Sequence, residues 1–219
     1  MPESLPILFL SGMATDERLF EPQIAAFPSS KVVPWVEPLA GESLVGYAAR
    51  LAPMVDPGVP CVIGGASFGG AVSLEMAPYL QTRACILIGS LKPPSGIPLK
   101  WRLCRPFASL GPNALRLFAW VVSRFGRRIL SAGTIRRCSR LASPEFSFVR
   151  WAMCVILQWR PSEATHQVPV FQIHGSADDV LPCKRSGADE IVPGGPHALT
   201  LFRSAQVNAF IEKSIRQVT

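Results

Sequence analysis

The chain has 219 residues, 48% of them hydrophobic and 17% charged, with a formal net charge of +7. That length suits one domain with a substantial core, and that composition excludes a disordered or low-complexity chain. No apolar run is long enough to cross a bilayer, and the six cysteines, at 61, 85, 104, 138, 154 and 183, contain no C-x-x-C pair.

In chain order, Leu5 to Leu10 is a short apolar segment without a basic lead. It reads as a buried strand over Ile7–Leu10 rather than a signal peptide. Ser11-Gly12 closes it, and a loop enters a short helix that Thr15 or Asp16 is placed to cap. Val32 to Val36 reads as a second strand, kinked or ended around Pro34. Ser43 to Met54 has helical periodicity, with Leu44, Tyr47, Ala48 and Leu51 on one side. Cys61 onward is a β-branched run that ends in Gly64-Gly65-Ala66-Ser67-Phe68-Gly69-Gly70 and passes into a helix ending near Leu80. Ala84 to Ile88 is another apolar strand. The alternation then stops. From about Pro93 to Pro161 only helical periodicity appears, with candidate helices over Leu99–Leu110, Asn113–Phe125, Gly126–Leu141 and Pro144–Trp159, the last capped by Ser143. Strand patterns return at Val168–Ile173 and Glu190–Val192, and Ala198–Ile215 reads as a closing helix. Strands separated by helices predict a parallel sheet of about six strands, covered on both faces.

The turn after Cys61–Ala66 carries G-x-S-x-G (Gly65, Ser67, Gly69). A serine raised to the tip of a tight strand-to-helix turn needs neighbours two before and two after that lack bulky side chains. The helix that follows directs its N-terminal N–H groups at the place where negative charge would develop. A glycine-rich turn that only packs helix on sheet is the plainer alternative. A nucleophilic serine also needs a base and a carboxylate to orient that base. The histidines are His166, His174 and His197, and the acids nearest a strand end are the adjacent Asp178 and Asp179. Adjacent side chains diverge, so one of the two meets the base and the other belongs to the turn. His174, beside a strand end, reads as a structural histidine holding its loop, and His166 as a surface or loop residue.

On these residues the sequence resembles the α/β-hydrolase superfamily over almost the whole chain, in the short form lacking the first two strands. The resemblance implies an α/β fold with an inserted all-helical cap. The core would comprise residues 1–91 and 162–219, and the cap 92–161. The family's order of serine, acid, histidine selects His197, the one histidine after the acid loop. Its acid-loop pattern H-G-x-x-D-x-x-x-P falls on His174, Gly175, Asp178 and Pro182, which makes Asp178 the acid. Its oxyanion hole would be formed by the main-chain N–H groups of Met13 and Phe68. Ser11 stands where the family usually has histidine, which changes local hydrogen bonding without removing a main-chain donor. The short interval from Asp178 to His197 leaves little room for a helix before the last strand.

The implied chemistry is acyl transfer through a covalent acyl-enzyme on an ester or thioester. The same geometry hosts lyases, C–C hydrolases and acyltransferases, and a receptor-like binding protein is the non-enzyme alternative. Within the insertion, Lys92 to Arg160 holds 13 Lys/Arg against the single acid Glu145, a net +12, while the rest of the chain nets −5. That load admits three readings: a solvated face, attraction of an anionic acyl substrate, or contact with a peripheral membrane surface. No nucleic-acid module is present. Neither a metal-ligand set nor a nucleotide fingerprint appears, so no cofactor is expected. Most insertion aromatics read as packing, with Trp151 and Trp159 the ones expected to line a pocket. The cysteines read as buried free thiols in a reducing compartment, and a cytoplasmic location is expected.

Overall fold

A computed structural model describes residues 5–92 and 146–219. Within them the chain forms strands β1 (Ile7–Leu10), β2 (Ser30–Val32), β3 (Cys61–Ala66), β4 (Thr82–Ile88), β5 (Val170–Gly175) and β6 (Glu190–Val192). The helices are α1 (Glu21–Ala26), α2 (Leu44–Val55), α3 (Phe68–Met76), α4 (Phe146–Gln158), α5 (Leu199–Phe202) and α6 (Ser204–Arg216). All six strands are parallel, in the order β2-β1-β3-β4-β5-β6. Strand order reverses between β1 and β3, and the carboxyl ends of those two strands therefore open the crevice where such sheets bind ligands. The candidate helices between 99 and 141, the Ser143 cap and the remaining extent of the insertion lie outside the described residues.

Strands β1 and β3 and the Ala84–Ile88 part of β4 are continuously apolar because both faces are covered there. On one face Leu8, Leu10, Ile63, Cys85 and Leu87 pack with buried residues of α2, α3 and α4; on the other Ile7, Phe9, Val62, Ile86 and Ile88 pack with α6. Ser43 caps α2 by accepting the Gly46 N–H at 3.1 Å, and the helix buries Leu44, Tyr47, Ala48, Leu51 and Ala52. Burial pushes the Tyr47 hydroxyl up to about 12; it donates to Val36 O and accepts from Val36 N–H, which pins the chain beyond β2. Cys61 and Cys85 are buried free thiols, pushed by burial up to about 11 and about 12.

Three boundaries differ from the sequence expectations. Strand β2 starts at Ser30 rather than Val32 and ends at Val32, just ahead of the kink or end expected around Pro34. The Val33 N–H still reaches Phe9 O at 2.8 Å, and Pro34 then has no N–H to continue the ladder. Strand β5 starts at Val170 rather than Val168, because Pro169 offers only its carbonyl, which the Cys85 N–H uses. The closing helix breaks into α5 and α6 at Arg203, whose backbone sits at φ −140°, ψ 39°. As the short spacing implied, only a 3-10 turn, Cys183–Arg185, lies between β5 and β6.

Candidate active site

The elbow sits at the carboxyl end of β3. Ser67 has φ 53° and ψ −120°, the one non-glycine residue with positive φ among the described residues. Such a conformation costs about 1–3 kcal/mol and persists only where the surroundings impose it. Here they do. A side chain at Gly65 would collide with the Gly69 main chain, one at Gly69 with the carbonyls of Leu10 and Ser11, and one at Gly70 with the Ser90 hydroxyl. Helix α3 thus lies directly on the strands, and Ser90 Oγ fixes the corner by donating to Ser67 O at 2.6 Å.

His197 arrives from the loop between β6 and α5. Its ring bridges the other two groups: Nε2 is 3.0 Å from Ser67 Oγ and Nδ1 is 2.7 Å from Asp178 Oδ2. Gly89, with φ 53°, lets β4 pass beneath, since a side chain there would stand 3.1 Å from His197 O. Asp178 follows β5, and its side chain is fully buried. Burial pushes its carboxyl up, but hydrogen bonds from His174 and His197, the His197 charge and the Leu181 N–H outweigh it, leaving the carboxyl well below the usual aspartate range. Oδ1 accepts the N–H groups of Val180 and Leu181 at 2.9 and 2.8 Å. His174, wholly buried, places Nε2 2.6 Å from Leu181 O. His166 lies in the 3-10 turn Glu163–Gln167.

The loop after β1 completes the corner. Ser11 Oγ donates to Asp16 O at 2.8 Å, and Asp16 caps the following turn through the Arg18 N–H, so the serine substitution has its own local bond. Gly12 lies against Ser67: a Cβ on it would stand 3.9 Å from Ser67 Cβ. Met13 follows it, and Phe68 is the first residue of α3. Among the described residues neither main-chain N–H has a main-chain partner.

Trp151 and Trp159 do line a cavity, of about 830 Å³, but it lies between residues 37–45 and α4 and its walls include none of Ser67, Asp178 and His197. Both indoles are anchored: Trp151 Nε1 donates to Glu42 O and Trp159 Nε1 to Glu75 Oε1. Trp151 meets Phe68, the residue after Ser67, edge-on at 5.9 Å between ring centroids. Sequence reasoning missed Glu75, a fully buried carboxylate on α3 that also accepts the Ser162 N–H and hydroxyl at 3.0 and 2.7 Å. It stitches the chain that follows α4 to α3. A lone acid within the otherwise uncharged stretch Phe68–Met76 was the available signal.

Among the described residues no group of three His, Cys, Asp or Glu could hold a metal ion, and no helix is long and apolar enough to cross a membrane.

A parallel six-stranded sheet with a strained serine corner after β3 is the α/β-hydrolase fold, and this chain has it. No protein-family model and no curated protein matches the sequence. Solved structures do match. The chain is similar to a thermophilic esterase from Thermogutta terrifontis, at 18% identity and TM-score 0.63, over 98% of this chain and 90% of that one. It is also similar to the N-acyl homoserine lactonase AidH, at 16% identity and TM-score 0.66, over 99% of this chain and 92% of that one. MenH from S. aureus matches at 14% identity and TM-score 0.66, over 97% of this chain and 94% of that one.

Proposed function

We propose that this protein is a serine hydrolase that cleaves an ester or thioester through a covalent acyl-enzyme on Ser67. The observation that carries the reading is the His197 ring, held between Ser67 Oγ at 3.0 Å and Asp178 Oδ2 at 2.7 Å. His197 Nε2 takes the Ser67 proton as Oγ attacks the carbonyl carbon, and Asp178 steadies the imidazolium that forms. The N–H groups of Met13 and Phe68 hold the oxyanion; a donor of this kind contributes about 3 kcal/mol of transition-state stabilisation. His197 then gives the proton to the leaving alcohol or thiol. Water, deprotonated by the same histidine, releases the acid and restores Ser67.

The similarity to an esterase and to a lactonase supports acyl chemistry on this fold without selecting a substrate. The test is turnover of p-nitrophenyl esters graded by acyl length and charge, with Ser67→Ala alongside. Hydrolysis by the wild type and none by the variant is the expected result. Equal, background-level turnover across the panel moves the weight to a lyase acting on an anionic substrate or to a binding protein. Faster turnover of carboxylate-bearing esters at low salt would tie the basic segment 92–160 to substrate attraction.

A further inference from the structure

His174 is a second buried histidine at the site, and the chemistry above gives it no part. Its Nε2 lies 2.6 Å from Leu181 O and 3.2 Å from Asp178 Oδ2, and its Nδ1 lies 3.4 Å from Gln172 Nε2. These neighbours decide where its proton sits. A carbonyl and a carboxylate oxygen only accept, so Nε2 carries a hydrogen shared between them. The other side turns on the Gln172 amide. Ser90 O can only accept, and it lies 2.9 Å from Gln172 Nε2, which fixes the amide with its NH2 toward Ser90. The same NH2 faces His174 Nδ1, so Nδ1 accepts. Turning the amide over would set Oε1 against the Ser90 carbonyl. In the observed setting Gln172 Oε1 is buried with no partner among the described residues, which fits an orientation dictated by Ser90 and His174 rather than by the oxygen.

We propose that His174 is a positioning residue: neutral, with its proton on Nε2, it clamps Leu181 to the acid loop and shares Asp178 Oδ2 with His197. The contacts close a ring. Ser90 Oγ holds Ser67 O, Gln172 holds Ser90 O and His174, His174 meets Asp178, Asp178 holds His197, and His197 returns to Ser67 Oγ. Thus the main chain of the nucleophile and the orientation of the acid are set by one network, in which bonds polarise one another. Because His174 is neutral, it takes up part of the Asp178 charge without adding a cation beside His197.

Among the described residues the titratable groups facing this pair are few. His197 comes from the loop before α5, and β4 brings only Gly89 and Ser90. Behind Gln172, Asp189 accepts the Gln172 N–H at 2.6 Å and pairs with Lys92 at 3.3 Å.

The consequence for turnover rests on the serine-hydrolase reading; the tautomer and the coupling to His197 do not. Both are read by ring-nitrogen NMR of the full chain labelled with 15N-histidine, across about pH 5 to 8. The wild-type His174 is expected to carry its hydrogen on Nε2 with Nδ1 accepting, its signals assigned by their loss in His174→Gln. In His174→Phe the Asp178 charge is no longer shared, so the His197 titration midpoint is expected to rise by about half a unit or more. His174→Gln, which keeps an amide donor toward Leu181 and Asp178, is expected to restore most of that shift. A purely structural histidine would lower stability and leave the midpoint in place. Unchanged His197 midpoints in both variants, a hydrogen on His174 Nδ1, or a charged His174 at neutral pH would each overturn the proposal. If His174→Phe fails to fold, His174→Leu, which likewise removes the donor to Asp178, takes its place for the His197 midpoint, and the wild-type tautomer is read in either case. Ester turnover, measured in parallel, fails separately if only the hydrolase reading is wrong.

Discussion

The two halves of the site are held by different forces. The Ser67 half is set by backbone contact: Gly65, Gly69 and Gly70 let α3 press onto β1, β3 and Ser90, and Ser67 is bent to φ 53° as a result. The Asp178–His197 half has a close approach at Gly175 against Gly195, but its side chains are aimed by contacts from His174, Val180 and Leu181. A packed corner has no graded failure, since an added methyl group has nowhere to go. A hydrogen-bonded array loses its bonds one at a time.

That contrast breaks first at Gly69. Gly69→Ala would push a methyl group into the Leu10 and Ser11 carbonyls, so loss of soluble, folded protein is expected by circular dichroism and gel filtration. A well-folded Gly69→Ala protein would refute the crowded-corner account. On the other half, Asp178→Asn is expected to stay folded yet lose about 10⁴-fold in ester turnover, because the amide misorients His197. Its stability effect depends on pH with a definite sign. Asp178 has its folded value lowered, so its contribution is full above the ordinary aspartate value near about 4 and is lost as pH falls below it. The gap in urea midpoint between wild type and Asp178→Asn should therefore narrow on going from pH 6 to about pH 3. A gap that widens in acid would contradict the lowered carboxyl.

Smaller effects sharpen the picture. Glu75→Ala leaves the Trp159 indole and both Ser162 donors without their partner. A loss of about 2–3 kcal/mol in denaturant unfolding is expected, with the elbow chemistry itself little changed. Ser67→Gly removes the nucleophile and relieves the positive φ, so the dead variant should be more stable than the wild type by about 1 kcal/mol. Equal or lower stability would mean that the strain at Ser67 is small.

Much of this was legible in the sequence, for physical reasons that differ by element. The elbow could be read because its constraint acts between near neighbours: Gly65, Ser67 and Gly69 are required by the turn itself. The sheet could be read because strands covered on both faces are continuously apolar, as in Cys61–Ala66 and Ala84–Ile88. The stop of β2 ahead of Pro34 was legible, but its start at Ser30 was not, because Ser30 and Lys31 at the sheet's edge give no apolar signal. The bond from Trp159 to Glu75 was not legible because the two lie 84 residues apart, and an indole buried against a carboxylate looks in sequence like any helical aromatic. The Gln172–Ser90 bond, spanning 82 residues, left no local trace either.

The central claim is that Ser67 is a nucleophile activated by His197, and incubation with a fluorophosphonate followed by intact-mass measurement tests it most directly. One adduct per wild-type chain is expected, with none on Ser67→Ala and strongly reduced labelling on His197→Ala. A folded wild-type protein that takes up no adduct, or one labelled equally in Ser67→Ala, would contradict the account.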